Sequence, residues 1–448
     1  MTLHDGSREE FAELDALMST ETTAVEDVDP ARRRRRRRRA LITIGIILAL
    51  VVASVGGYVG WALTAALPAP EVSTSTPADR ALGPAAVPLP LDGATAVSVS
   101  GADEYLGATA SGVWLSSGTA DPRPIASITK IVAALVILEA NPIAAGESGP
   151  ILTFDKADHD LYDKYYVMGA TIAPMPTGTT MPLRTALAAM IIPSACNYAE
   201  AVATWAFGSS GGFVRATRDW LAAHGLTGTT IVEPTGVSRG NTSTPSDLLA
   251  IGKLAAANPV IAEIAATPVL TQIGVGGMAT TNSLLGVSGI TGLKTGNLGA
   301  GTYNFLYTAT VDVGIDQPLQ VTGVALGGQS REAVNGVVLG VLDGLRAGFQ
   351  RLPVASEGDE VGTFTTPWGS SARMVVAESA AILVWSDTAA SATMTTKTPA
   401  EYADGEVIGE IVWTAGPNTV RVPVVIEGSI EPPTEWWRLT HPGELGER

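Results

Sequence analysis

The feature that most constrains this chain is a run of eight arginines at residues 32–39, followed at once by residues 40–70 without a single charge. Residues 42–67 are dominated by Ile, Leu, Val, Ala and Gly. That exceeds the ~20 residues a helix needs to cross the hydrocarbon core of a bilayer. Tyr58 and Trp61 lie toward its far end, where amphipathic rings favour the membrane–water interface. Arginines flanking one end place that end in the cytoplasm, so everything beyond about residue 70 is expected outside. Next to a spanning helix, the Arg run fixes topology and meets anionic lipid rather than nucleic acid. Small residues at 62–69 would suit signal-peptide cleavage, but the apolar stretch is long and starts late, which favours an uncleaved anchor. The expected order is an acidic, disordered cytoplasmic tail (1–31), the Arg run (32–39), a transmembrane helix (40–67) and a Pro/Ala/Ser/Thr-rich extended linker (68–92). A large extracytoplasmic body follows.

The tail holds nine acids against one base, Arg8, and cancels the Arg run, so the formal charge of −16 resides in the body. An acidic body repels phosphate, which argues against a nucleic-acid partner. With Cys196 alone no intrachain disulfide forms. The four histidines, His4, His159, His224 and His441, show no zinc-ligand spacing, and neither metal nor cofactor is expected. His159, in a charged run, reads as a solvated surface residue.

Lysine is scarce, with six in the chain, and two of them stand in chemical company. Lys130 closes Ser127-Ile128-Thr129-Lys130, after Pro122 and Pro124 and before an apolar helix-capable run at 131–140. Ser127 therefore falls near a helix N-terminus with Lys130 one turn on, on the same face. A serine hydroxyl needs a base to take its proton, and a lysine serves if burial or a nearby cation lowers its pKa. The other reading is an N-cap serine followed by a surface lysine. Lys294 opens Lys294-Thr295-Gly296, at the end of a strand (289–296) that starts a hairpin with 302–311. The cation and the hydroxyl suit a carboxylate, Gly296 lets a peptide lie close, and Lys294 would disfavour charge on Lys130. Between the two lies Pro193-Ser194-Ala195-Cys196-Asn197, breaking two helix-like runs. Ser194 either points into a cleft or caps the second helix.

These three motifs, SxxK, a variant of SxN, and KTG, resemble the serine D-alanyl-D-alanine carboxypeptidases of the low-molecular-weight penicillin-binding proteins (peptidase family S11), whose signature set is shared with class A β-lactamases. Ile125-Ala126-Ser127, Glu233-Pro234-Thr235-Gly236 and Thr281-Asn282-Ser283 are similar to that family too. The resemblance spans roughly residues 95–350. It implies an α+β, β-lactamase/transpeptidase-like domain at 93–350: an antiparallel sheet flanked by helices, beside a helical subdomain. It implies peptidoglycan stem peptides ending in D-Ala-D-Ala as substrates and β-lactams as covalent inhibitors. By the same resemblance Ser127 is the nucleophile, Lys130 its base and Ser194 a proton-transfer partner. Lys294 and Thr295 hold the terminal carboxylate, and the N–H groups of Ser127 and Asn297 form the oxyanion hole. The family's SxN asparagine aligns with Cys196, although Asn197 would substitute if the turn shifted by one residue. A thiol replaces an amide's hydrogen bonds poorly, so weaker substrate contacts are expected.

Residues 331–350 read as a closing helix. Short β-like runs and the hairpin signal Ala415-Gly416-Pro417-Asn418 then mark a small all-β domain at 351–448, ending in a short stretch with Trp436 and Trp437. The functional reading is a membrane-anchored D,D-carboxypeptidase. Its competitors are a β-lactamase, for which no general-base glutamate is evident, a D,D-endopeptidase using the same residues, and a degenerate wall-binding or scaffolding module.

Overall fold

The computed structural model describes residues 30–90, 92–273 and 277–446. The chain divides into two compact units. Among the described residues, one comprises 30–73, 362–373 and 427–446, the other 74–361 and 374–426. The expected disordered tail, residues 1–31, lies outside the described residues but for its last two.

In the first unit the Arg run and the apolar stretch form one helix, α1 (Pro30–Thr64). Its apolar side chains are exposed, and within the helix only Ala62 is buried. The apolar part of this helix, beyond the Arg run, is long enough for a membrane span and is unburied by protein. Its C-terminal end is gripped by the C-terminal segment of the chain, whose helix runs Glu435–Thr440. Tyr58 Oη donates to the Leu439 carbonyl at 2.6 Å. Arg438 Nη1 donates to the Ala65 and Ala62 carbonyls at 2.9 and 3.3 Å, and Gly446 N donates to Ala66 O at 3.0 Å. The carbonyls of Ala62, Ala65 and Ala66 lie in or just past the last turn of α1, where partners are otherwise lacking and a cation is favoured. Trp437 stands edge-on to Trp368 and stacks on His441, whereas Trp436 stays 73% exposed.

The second unit holds a five-stranded sheet: β1 (Ala94–Ser100), β2 (Leu115–Ser117), β3 (Ile290–Gly296), β4 (Tyr303–Val311) and β5 (Leu319–Gly328). The order is β3-β4-β5-β1-β2 and every pairing is antiparallel. Alternation along β4 assigns its faces. Phe305, Tyr307, Ala309 and Val311 join one apolar cluster and Leu306 the other, as a period of two with both faces covered requires.

Against the Leu306 face lies the helical part: α2 (Thr129–Ala140), α3 (Lys156–Val167), α4 (Leu183–Ile191), α5 (Cys196–Phe207), α6 (Ser210–Ala223), α7 (Pro245–Ala257) and α8 (Pro259–Ala265). α2 is buried from Thr129 to Leu138, the pattern of a central core helix. Truncating one of its isoleucines to alanine would cost about 2–5 kcal/mol. The opposite face is closed by α9 (Arg331–Gly348), capped by Ser330 through Ala333 N. Its Val334, Val338, Val341, Leu342 and Leu345 turn to the sheet.

Three features differ from the sequence expectation. The linker is extended, but residues 80–89 lie along the body. Arg80 bridges Ala390, Ala85 N donates to Ser386 Oγ at 2.9 Å, and the chain crosses α9 at Gly344, where a Cβ would meet Ala86 O at 2.9 Å. Second, α9 runs directly into strand β6 (Phe349–Ala355), which pairs with β7 (Ala380–Trp385). A domain boundary at 350/351 falls inside this strand. Its Pro353 masks it in the sequence, and the strand has β7 as its one partner in a two-stranded sheet, where proline is tolerated. Third, β8 (Ser391–Thr396), β9 (Val407–Ala415) and β10 (Asn418–Glu427) form a meander. The polar, largely exposed β8 carries little apolar signal.

Candidate active site

Ser127 sits in the single 3-10 turn Ala126–Ile128 that leads into α2. The stretch is pinned by Arg123–Pro124 pairing with Thr242–Ser243 and by Ile125 N donating to Asn241 O at 3.0 Å. Two glycines press on the turn. A Cβ on Gly236, whose φ is +85°, would lie 2.1 Å from Ala126 O, and one on Gly296 would lie 2.8 Å from Ser127 N. No other residue permits both approaches.

One helical turn on, Lys130 is fully buried. Its Nζ lies 3.1 Å from Ser127 Oγ, 3.4 Å from Cys196 Sγ and 2.5 Å from the Thr235 carbonyl. No carboxylate is among these partners.

Ser194 occupies the break between α4 and α5 with φ +72°. The cap of α5 is Ala195, without a side-chain bond, so the N-cap reading of Ser194 is set aside. Its side chain lines the cleft with Ser127. Cys196 lines it as well. Asn197 does not: its amide accepts from Ala173 N at 3.1 Å and donates to Ala173 O at 2.8 Å. The expectation of a substrate contact from Asn197 is therefore corrected, because both ends of its amide are occupied by the chain. With Cys196 N on Thr171 O at 2.8 Å and Tyr198 Oη on Pro174 O at 2.8 Å, it fastens segment 171–174, whose Thr171 lines the cleft, onto α5. His159 assists from α3, half-buried with Nδ1 2.9 Å from Met175 O, rather than solvated as expected.

On the sheet side, Lys294, Thr295 and Gly296 end β3 opposite Leu306, Phe305 and Asn304. Lys294 Nζ donates to Thr281 Oγ1 at 3.0 Å and Thr295 Oγ1 lies 2.8 Å from that same hydroxyl. Arg331, the first residue of α9, donates to the Thr281 carbonyl at 2.7 Å. Burial pushes Lys294 well below the ordinary lysine range; positive charge on Lys130 or Arg331 lowers it further, and Cys196 opposes this.

These parts surround a cleft of about 730 Å³. Ser127, Ser194, Cys196, Thr295, Gly296, Asn297 and Arg331 line it, and none of the lining residues is acidic. Such a cleft offers a nucleophile with an amine beside it, and at its β3 side hydroxyls and cations suited to a carboxylate. Thr235, Gly236 and Thr281 stand in the sequence without a role assigned to them, and Arg331 lies outside every motif. A carbonyl contact and the first residue of a distant helix leave no local motif.

Residues 105–326 match the family model described as D-alanyl-D-alanine carboxypeptidase. Among solved structures, penicillin-binding protein 5 from Haemophilus influenzae aligns at 16% identity with a TM-score of 0.50, over 77% of this chain and 99% of that one. The Streptomyces K15 DD-transpeptidase aligns at 22% identity and TM-score 0.47, over 60% and 98%. A peptidoglycan synthesis regulatory factor (PBP3) from Streptococcus pneumoniae aligns at 18% and 0.49, over 76% and 99%. The first of these shows a shared fold. No curated protein sequence matches the chain.

Proposed function

The chain belongs, through residues 105–326, to the D-alanyl-D-alanine carboxypeptidase family, and on that premise we propose a serine-type mechanism built on Ser127. The observation that carries it is the buried Lys130 amine 3.1 Å from Ser127 Oγ, with no acid to neutralise it in the cleft. Lys130 takes the Ser127 proton as Oγ bonds to the penultimate D-Ala carbonyl carbon of a stem peptide. The N–H groups of Ser127 and Asn297 hold the oxyanion. The C–N bond then breaks, and the proton passes to the leaving D-Ala amine with Ser194 assisting. Lys294, Thr295 and, from its place in the cleft, Arg331 hold the terminal carboxylate, and Gly296 lets the peptide lie along β3. Water hydrolyses the acyl-enzyme. Cys196 stands where an amide would contact the substrate backbone.

A β-lactamase reading finds no support at the site. The cleft lining holds no carboxylate. Glu233, in the adjoining loop, has both oxygens engaged by the chain and none free to activate water.

We further propose that α1 crosses the membrane with the Arg run inside and the catalytic part outside. Two facts support an uncleaved anchor. Ala62 in the small-residue stretch is buried, and the Ala62, Ala65 and Ala66 carbonyls are bonded by the C-terminal segment, which partly shields the stretch from a peptidase. Tyr58 and Trp61 also pack together toward the C-terminal end of α1, as in an interfacial aromatic belt.

The test uses the full chain in detergent micelles, its mass recorded after incubation with a β-lactam, beside release of D-Ala from a D-Ala-D-Ala pentapeptide. The expected result is one drug mass added and D-Ala released, both lost in Ser127→Ala. Folded protein that takes no adduct and releases no D-Ala at long incubation overturns the proposal.

A further inference from the structure

We propose that Glu233 is a positioning residue for Lys130, acting through the Thr235 carbonyl. This rests on the reading above of Lys130 as the base. A neutral amine has two N–H donors and one lone pair, and only the lone pair can accept the serine proton. Lys130 Nζ has three neighbours: Ser127 Oγ, Cys196 Sγ and Thr235 O. A carbonyl only accepts, so Thr235 O claims one N–H. The weakly accepting thiol is placed to take the second, and the lone pair is left facing Ser127. The carbonyl is thus the third group that orients the base, as a base's own partner does in other serine enzymes.

What fixes the carbonyl is Glu233. Its Oε2 accepts from Thr235 N and Thr235 Oγ1, each at 2.6 Å. Its Oε1 accepts from Gly236 N at 2.7 Å, Asn241 Nδ2 at 2.7 Å and Ser238 N at 3.2 Å. The carboxylate has no ion-pair partner among these. All five donors belong to residues 235–241, so its effect is to fold that loop. The same loop sets Gly236 against Ala126 and Ser127, and Asn241 Nδ2 also reaches Thr129 Oγ1 beside Lys130 at 3.1 Å. The other ionisable groups near the pair are Lys294 and Cys196 toward Lys130, and Tyr165 toward Glu233, whose own hydroxyl is bonded to Glu200. Arg239, in the loop, turns to the Leu298 carbonyl. A glutamine at 233 would set an NH2 group against two or three of the five donors, whereas the carboxylate accepts from all.

The test measures acylation by a fluorescent penicillin with the full chain in micelles, across pH 6 to 10 by roughly half-unit steps, in Glu233→Gln, Thr235→Val, Thr235→Ser and Lys130→Ala. Glu233→Gln is expected to slow the acylation rate constant at least about tenfold and to displace its pH profile, leaving half-saturating drug concentration near the wild-type value. Thr235→Val removes one donor and slows it several-fold, and Thr235→Ser restores it. If Glu233→Gln fails to fold, the Thr235 pair decides alone. Should Lys130→Ala acylate like wild type, the base reading itself fails. Should Lys130→Ala lose acylation while the folded Glu233 and Thr235 variants keep wild-type rate and pH profile, with only a lower melting temperature, the positioning role is overturned and the base reading stands.

Discussion

The thiol of Cys196 lies 3.4 Å from the amine of Lys130, on the wall of the cleft that also holds Ser127 and Ser194. On the proposed mechanism, Cys196→Asn would offer an amide carbonyl to Lys130 and an N–H2 group to the substrate backbone. One added hydrogen bond of about 1 kcal/mol corresponds to about a fivefold rise in kcat/KM on a D-Ala-D-Ala peptide. Steady-state D-Ala release measures it. A fall in kcat/KM would mean that the thiol is tuned to this lysine and not a weakening departure.

The burial of Lys294 makes a second expectation, in pH. Its charged form is disfavoured first by burial, then by Lys130 and Arg331. A bound carboxylate favours the charged form again, so binding takes up a proton. Above the lowered pKa that uptake becomes costly, and kcat/KM for a carboxylate-ended peptide is expected to fall at a pH below the ordinary lysine value of 10.5. A peptide amide lacking the carboxylate should not show that alkaline limb. Lys294→Arg should move the limb out of range, because a guanidinium stays charged. The same shift bears on stability. The unfolded chain binds this proton more readily, so the contribution of Lys294 to stability rises with pH from the lowered value up to 10.5 and is lost as pH falls through the lowered value. Identical profiles for peptide acid and amide would remove Lys294 from carboxylate binding.

How far the sequence discloses this site depends on how local each part is. Ser127 and Lys130 share one helical turn, and Lys294 to Gly296 share one strand end, so fixed spacing announces them. The role of Asn197 could not be read the same way. One residue separates a side chain in the cleft from one that clamps Ala173, and only the observed start of α5 at Cys196 decides between them. Thr235 meets Lys130, and Thr281 meets Lys294 and Arg331, from separate segments through backbone carbonyls and one hydroxyl, which leave no residue-type signature. Elsewhere the strong apolar periodicities mark α9 and most strands of the distal region. Strand β6 is hidden by Pro353, and β8 by its polarity. The linker's contact with α9 is set by the missing side chain of Gly344 rather than by a pattern in the linker itself.

The grip of the C-terminal segment on α1 makes the last prediction. Arg438 bonds the carbonyls of Ala62, in the final turn, and Ala65, just past it, where a helix end lacks internal partners and carries partial negative charge. Tyr58 and Gly446 add one bond each. Arg438→Ala removes two of the four bonds, a loss of about 1–2 kcal/mol for a partly buried charged donor, and the freed carbonyls turn to water. The global fold stands on other cores, so the change should stay local. In nanodiscs, backbone exchange and protease cutting at residues 62–73 should rise several-fold, and acylation by a β-lactam should keep its wild-type rate, since none of these residues lines the cleft. Unchanged exchange there would mean that the C-terminal end of α1 is held by the bilayer alone. A lost acylation rate would mean instead that this segment transmits strain to the catalytic part, which no bond described for it requires.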